Sequence, residues 1–263
     1  MPIVSEVCDF LDKLAPIELA EDWDNVGLLV GRRSATVEKI LTCLTLTPDV
    51  AQEAVDQKVQ LIVPHHPVLF RGTKTITDDT SDGRMLLDLI ENGVAVYSAH
   101  TRFDSALQGV NQQLAESFGL TGVSPIRASE LLPGTGSGRA GKLASPCVLA
   151  DFLDAVRKAS KADYLEYCGE LDAKVFHIGV ACGSAAEFLD DAIDLGCDTF
   201  VTGEARFHSA LEARSRGINL ILLGHYSSER PAMDWLAEEL GKVFTKVRVC
   251  SSDKECDPLQ LSR

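Results

Sequence analysis

Along this chain, apolar runs of strand length alternate with stretches of helical spacing, and that alternation limits its fold more than any other feature. The strand-like runs are "KILTCLTL" (39–46), "VQLIVP" (59–64), "VAVYSA" (94–99), "KVFHIGVA" (174–181), "CDTFVTG" (197–203) and "INLILLG" (218–224). Helical spacing covers 3–14, ending before Pro16, then 48–57 opened by Pro48, and 83–92. It returns at Leu107, Val110, Leu114 and Phe118, closed by Gly119, and again over 147–159, 184–195, 205–216 and 231–240. The compact stretch "WDNVGLLVG" (23–31) reads as a turn and strand, and "KVFTKVRVC" (242–250) as a closing strand. Strands that trade places with helices in this way give α/β layers, not a sandwich or a bundle.

One segment breaks the rhythm. "SPIRASELLPGTGSGRAGKLASP" (124–146) is rich in Gly, Ser and Pro and reads as a loop or connection. The expected organisation is a first α/β subdomain over 1–123, this connection over 124–146, and a second α/β subdomain over 147–224. The last stretch, 225–263, is a candidate to complete the first subdomain, although its terminal strand is free to return to either one. Within the connection, "GSGRAGKL" (136–143) comes close to a phosphate-binding P-loop, but Leu143 replaces the hydroxyl residue and no core strand precedes it. Nucleotide binding by that motif is rejected.

The net charge of −14 argues against a direct nucleic-acid partner, which needs a basic surface. The eight cysteines are scattered with no CxxC pair, which fits buried thiols in a reducing compartment. The acidic, amphipathic start "MPIVSEVCDFLDKLAP" does not look like a signal peptide, and no apolar stretch approaches a membrane span, so a cytoplasmic protein is expected.

Three of the apolar runs end on side chains that bind metals. "LIVP" ends on His65 and His66; "VAVYSA" ends on His100, with Asp104 one turn on; "INLILLG" ends on His225, with Glu229 four residues later. In α/β sheets, functional groups gather beyond the carboxyl ends of strands, so different strand ends can bring His65, His66, Asp104, His225 and Glu229 to one point. Imidazole nitrogens and carboxylate oxygens suit zinc, iron or manganese, and these five ligands suit two metals sharing water better than one. The plainer alternatives are solvated histidines at strand ends, Asp104 capping the helix that follows it, and Glu229 serving the N-terminus of the helix around Pro231. "TGEARFHSA" (202–210) adds Glu204 and His208 as residues for supporting a ligand or moving a proton, with helix initiation as the alternative. Ser184, after Cys182-Gly183, reads as a helix cap, His177 as a satisfied core residue, and Trp23, Asp24 and Asn25 as a pocket rim or a fixed turn.

Taken together and in order, "WDNVGLLVG", "LIVPHHPVLFRG", "VYSAHTRFD", "TGE" and "GHYSSE" resemble the Nif-three-like family, whose members often carry the name type-2 GTP cyclohydrolase I. The similarity runs over nearly the whole chain, in the compact form without a central inserted domain. It implies two similar, intertwined α/β subdomains with mixed sheets, and a cytoplasmic homohexamer of toroidal shape. It implies two divalent metal ions per subunit, His65 and His225 serving one, His66 and Asp104 the other, and Glu229 bridging both. The implied activity is hydrolytic opening of the guanine imidazole ring of GTP, which yields formate and 7,8-dihydroneopterin triphosphate, with no nucleic acid or membrane partner. Arg102 departs from the family pattern, where a small or amide side chain is common. A guanidinium there either favours a phosphate-bearing ligand, as in a phosphoesterase acting on a small nucleotide, or points into solvent. A non-catalytic metal-binding or regulatory protein is the remaining alternative.

Overall fold

The computed structural model describes residues 1–260. In chain order the helices are α1 (Val4–Leu14), α2 (Pro48–Asp56), α3 (Ser81–Glu91), α4 (His100–Ser105), α5 (Val110–Ser117), α6 (Leu149–Ser160), α7 (Leu189–Asp194), α8 (Phe207–Arg216) and α9 (His225–Val243). The strands are β1 (Gly27–Val30), β2 (Lys39–Cys43), β3 (Leu61–Pro64), β4 (Ala95–Ser98), β5 (Thr121–Ser124), β6 (Arg127–Ala128) and β7 (Gly136–Ser137), then β8 (Arg139–Val148), β9 (Glu166–Cys168), β10 (Lys174–Ala181), β11 (Thr199–Thr202), β12 (Asn219–Leu222) and β13 (Arg248–Ser251). They form two compact units, one of Met1–Arg102 with Met233–Arg263 and the other of Phe103–Ala232.

The first unit is built on a sheet in the order β1-β4-β3-β2-β13. Its strands β4, β3, β2 and β13 are parallel, with β13 at one edge, and β1 closes the other edge antiparallel to β4. β13 lies beside β2, so the chain's last strand returns to this unit. Both faces of a parallel sheet are covered, so its strands are apolar throughout. β3 and β4 are accordingly buried at every position, and Leu41, Val50, Ile62, Leu89 and Val96 pack together in the core. α2 forms where sequence chemistry starts it: Pro48 sits in the first turn and the Thr47 hydroxyl accepts from Val50 N–H.

The second unit carries a sheet in the order β5-β8-β10-β11-β12-β9. β10, β11 and β12 are parallel at its centre, flanked by antiparallel β8 and β9. Phe200, Leu220, Leu189 and Ala192 belong to its core.

The glycine-rich stretch is no mere connection. Its second half is β8, which pairs along most of its length with β10, and the boundaries between units fall after 102 and 232 instead. β8 escapes a reading by apolar pattern because much of it is solvated and its inner end is anchored by a charge. Arg139 is fully buried, and its guanidinium donates to the carbonyls of Gly136 (2.5 Å), Gly138 (2.7 Å) and Ala106 (2.7 Å) and to Gln112 Oε1 (2.9 Å). Burial pushes its pKa down to about 10, and that ring of acceptors compensates for the lost hydration.

Candidate metal centre

In the first unit, parallel strands β2, β3 and β4 run side by side, so the residues after their carboxyl ends emerge together. Backbone pairing continues one step past the strands: His65 N–H donates to Cys43 O and His66 N–H to Leu44 O, both at 2.9 Å. On the other side, the Ser98 hydroxyl donates to His65 O at 2.6 Å. His65 is thereby fixed and buried, and His66 and His100 are half-buried beside it. Each of the three rings offers a ligand atom within 4.8 Å of the other two.

The rings are oriented through their outer nitrogens. His100 Nδ1–H donates to Asp24 Oδ1 at 2.8 Å, and His66 Nδ1 lies 2.8 Å from Thr45 Oγ1. In both, Nε2 is then the nitrogen the ring presents to a cation, the arrangement that orients metal-binding histidines generally. Burial alone would raise the Asp24 pKa, but hydrogen bonds from His100 and from the backbone and hydroxyl of Thr101 outweigh it and hold the carboxyl below its ordinary value. Thr45 is itself held, because the Glu255 carboxylate near the C-terminus accepts from Leu44 N–H (2.9 Å) and Thr45 N–H (2.6 Å). His100 adopts a φ of +35°, a conformation an L-residue takes at a cost and one that aims its ring at the other two.

The second unit repeats the device with carboxylates. β10, β11 and β12 end in Cys182-Gly183, Gly203-Glu204 and Gly224-His225, and pairing again runs on, with Glu204 N–H to Gly183 O at 2.9 Å and Gly224 N–H to Gly203 O at 3.0 Å. α9 begins at His225, six residues ahead of the expected start at Pro231, and carries Pro231 in its interior. His225 and Glu229 therefore share one helix face, with Nε2 and Oε2 3.0 Å apart, and Glu229 does not cap the helix N-terminus. The hydrogen bond to Glu229 is the largest cause raising the His225 pKa to about 9; burial opposes it, and Glu204, whose Oε2 is 3.5 Å from His225 Nδ1, adds to it.

Around this pair the turn after β10 acts as a mould. Gly183 has φ +65°, and a Cβ there would lie 2.3 Å from Glu229 Oε1, so only glycine lets the buried carboxylate close on the backbone. Gly183 N–H donates to Ser228 Oγ (2.9 Å), which donates to His225 O (2.7 Å). Asp104 is placed by the same turn: Cys182 Sγ–H donates to its Oδ1 at 3.3 Å, while Asn111 Nδ2 donates to its carbonyl (3.1 Å) and Asn111 Oδ1 accepts from Cys182 N–H (2.7 Å). Burial, and then the carboxylates of Asp104 and Glu229, push the Cys182 thiol well above its ordinary pKa, so it stays protonated as a donor.

Several expectations change. Asp104 lies within α4 and the N-cap of α5 is Gly109, so Asp104 caps nothing there. Ser184 is not a cap either: the short 3₁₀ turn Ala186–Phe188 and α7 start later, without side-chain caps. Arg102 neither faces a ligand nor points into solvent. It is 1% exposed and donates to Asp12 Oδ1 (2.8 Å) and to the Tyr97 hydroxyl. Glu204 does reach His225, whereas exposed His208 sits edge-on to Phe207 at a centroid distance of 5.9 Å. His177 is half-buried, with Nδ1 3.1 Å from Gly196 O. Thr45, Asn111, Cys182 and Glu255 have no role in the sequence pattern, and Asp24 is read there only as part of a pocket rim or fixed turn. Only the match of ligand types at strand ends was visible there, because partners distant in sequence leave no spacing signal.

Comparison with known proteins fits this arrangement. The family model described as Duf34/NIF3 (NGG1p interacting factor 3) matches residues 2–258. The chain belongs to the Duf34/NIF3 family. Among its relatives in that family, a Clostridium acetobutylicum protein named GTP cyclohydrolase 1 type 2 homolog is 34% identical, with 94% of this chain and 92% of that protein covered. The Schizosaccharomyces pombe protein NIF3 homolog is 31% identical over 98% of this chain and 97% of its own. The crystal structure of Staphylococcus aureus protein SA1388 superposes with a TM-score of 0.91 at 26% identity, covering 99% of each chain. This Duf34/NIF3 chain shares the family's mixed α/β fold, and it carries possible metal-binding clusters of histidine and glutamate.

Proposed function

We propose that the protein is a metal-dependent hydrolase in which His65, His66, Asp104, His225 and Glu229 together hold two divalent ions, zinc, iron or manganese. His65 and His225 would hold one ion and His66 and Asp104 the other, and Glu229 would contribute to both. The observation that carries this reading is the orientation of the imidazoles. Thr45 occupies the Nδ1 side of the ligand His66, which therefore presents Nε2, and Asp24 holds the neighbouring His100 ring in the same way; a bare polar strand end needs no such bracing. In the second unit, the proton shared by His225 Nε2 and Glu229 Oε2 links two atoms that suit a divalent cation.

When bound, the ions would supply Lewis acidity and bring the pKa of a coordinated water toward neutrality. The chain's own groups do the positioning. Gly183 and Ser228 set the His225–Glu229 face, the Cys182 thiol and Asn111 hold Asp104, and Glu204 steadies the outer nitrogen of His225. Glu204 is exposed, so it is also placed to pass a proton to solvent.

The substrate in this reading is a small nucleotide. Relatives named GTP cyclohydrolase 1 type 2 homolog support GTP, opened at its guanine imidazole ring with release of formate and formation of 7,8-dihydroneopterin triphosphate. A phosphoesterase reading drew on Arg102 as its phosphate ligand, and Arg102 is committed to Asp12 and Tyr97. We further infer a cytoplasmic homohexamer. No helix among the described residues is long and apolar enough to cross a membrane. Sedimentation giving only the 28.4 kDa chain mass would count against the hexamer.

The test is formate release from GTP by metal-loaded protein, run beside His66→Ala. Turnover in the wild type that the variant lacks supports the hydrolase. Equal turnover in both leaves a protein that holds metal without catalysing this reaction.

A further inference from the structure

Beside the imidazole cluster stand two large aromatic side chains that contribute little to the core. Trp23 is 60% exposed and Phe70 is 51% exposed. Their ring centroids are 5.8 Å apart, and each lies about as close to the ring of His100, at 6.0 Å from Trp23 and 6.1 Å from Phe70. The planes meet at 65°, 76° and 82°, so the three rings stand as the walls of a corner.

Single exposed apolar residues are ordinary on a protein surface and need no explanation. This pair is different because buried polar groups hold it in place. Asp24, next to Trp23, is fully buried at its side chain and binds His100 Nδ1, Thr101 N–H and the Thr101 hydroxyl. Asn25 Nδ2 donates to Leu69 O at 2.7 Å, which ties the Trp23 turn to the residue before Phe70. Burying a carboxylate costs several kcal/mol unless it is paired, in order-of-magnitude terms. The same carboxylate that orients His100 therefore also anchors the backbone turn that carries Trp23.

We propose that Trp23 and Phe70 form the binding corner for a flat heteroaromatic ring of the substrate, setting that ring's reacting edge toward His65, His66 and His100. The proposal rests on the hydrolase reading above and supplies its specificity. A ring cannot slide between Trp23 and Phe70, because their planes are far from parallel. It lies on the face of one and meets the edge of the other, the two geometries aromatic groups favour. Stacking of this kind accepts any base with a π-face, so discrimination among bases has to come from polar contacts elsewhere.

The test uses full-length, metal-loaded protein and measures equilibrium binding of GTP, guanosine and inorganic triphosphate to wild type, Trp23→Ala, Phe70→Ala and Trp23→Phe. Loss of one stacking partner should weaken GTP and guanosine by roughly tenfold, within the range measured for base–aromatic contacts. Triphosphate binding and metal content should stay at wild-type values, and Trp23→Phe should recover most of the loss. Unchanged GTP affinity in both alanine variants overturns the corner, as does an equal loss of triphosphate binding. The two readings fail separately: variants that keep full metal content and turnover with unchanged GTP affinity sink only the corner. A wild-type protein that takes up no metal sinks the hydrolase reading and the corner with it.

Discussion

The two units place their functional side chains at the same point of a parallel sheet, beyond three neighbouring strand ends, but they fix them by opposite means. In the first unit the candidate groups are imidazoles, and partners reach them from behind: Asp24 takes Nδ1 of His100, beside the proposed ligands, and Thr45 lies against Nδ1 of the proposed ligand His66. In the second unit, space and donors do the work. Gly183 leaves room for the Glu229 carboxylate, and the Cys182 thiol and the Asn111 amide hold Asp104. The difference follows from the groups. An imidazole has a second nitrogen, so one hydrogen bond fixes both tautomer and direction. A carboxylate only accepts, so it has to be shaped by what surrounds it.

This contrast can be broken by experiment, and the largest effect should come from the ligands themselves. His65→Ala or Glu229→Ala should cut metal affinity and turnover by more than the roughly 100-fold upper range seen when a supporting partner is lost. Isothermal titration with the metal reads this directly, and a loss below tenfold would mean that the residue is not a ligand. Next comes Gly183→Ala, which adds a methyl 2.3 Å from Glu229 Oε1 at a positive φ. It should lower metal affinity roughly 10–100-fold and reduce stability by about 1–3 kcal/mol. Wild-type affinity in that variant would show that the turn does not mould the site.

In the first unit the matching test is Asp24→Asn, which keeps the shape and removes the charge behind His100. Affinity should fall only a few-fold, because His100 stands beside the proposed ligands, whereas Thr45→Val, behind the proposed ligand His66, should cost about tenfold. If Asp24→Asn costs more than Thr45→Val, the assignment of His66 and not His100 as a ligand is wrong.

The smallest effect is a pH dependence confined to the second unit. In the metal-free protein the His225 pKa is raised to about 9 against 6.5 for the free side chain. The folded state keeps a proton that the unfolded chain releases, so this stabilisation is complete below pH 6.5 and is lost as pH rises through about 9. Thermal unfolding of metal-free protein should show a drop over that window, and His225→Gln should flatten it. A parallel decline in both proteins would assign the effect to other groups.

Much of this was legible in the chain itself, and the reasons differ by region. β3, β4 and β12 are short apolar runs stopped by metal-type residues, and burial on both faces writes such strands plainly into sequence. β8 was not legible, because a solvated strand anchored by buried Arg139 looks like a glycine-rich loop. The start of α9 was hidden by Pro231, a residue that normally opens helices and here lies inside one. At the site, Arg102 turned out to be a buried partner of Asp12, ninety positions away in sequence. The supports from Asp24, Thr45 and Glu255 are likewise long-range, and no local pattern announces them.

The most direct check is metal content per chain after purification without chelators, in wild type, His66→Ala and Glu229→Ala. Two equivalents are expected in the wild type, one lost in His66→Ala, and both lost or weakened in Glu229→Ala, since that carboxylate is proposed to serve both ions. Wild-type protein with no bound metal, or a Glu229→Ala variant that keeps both ions, would contradict it.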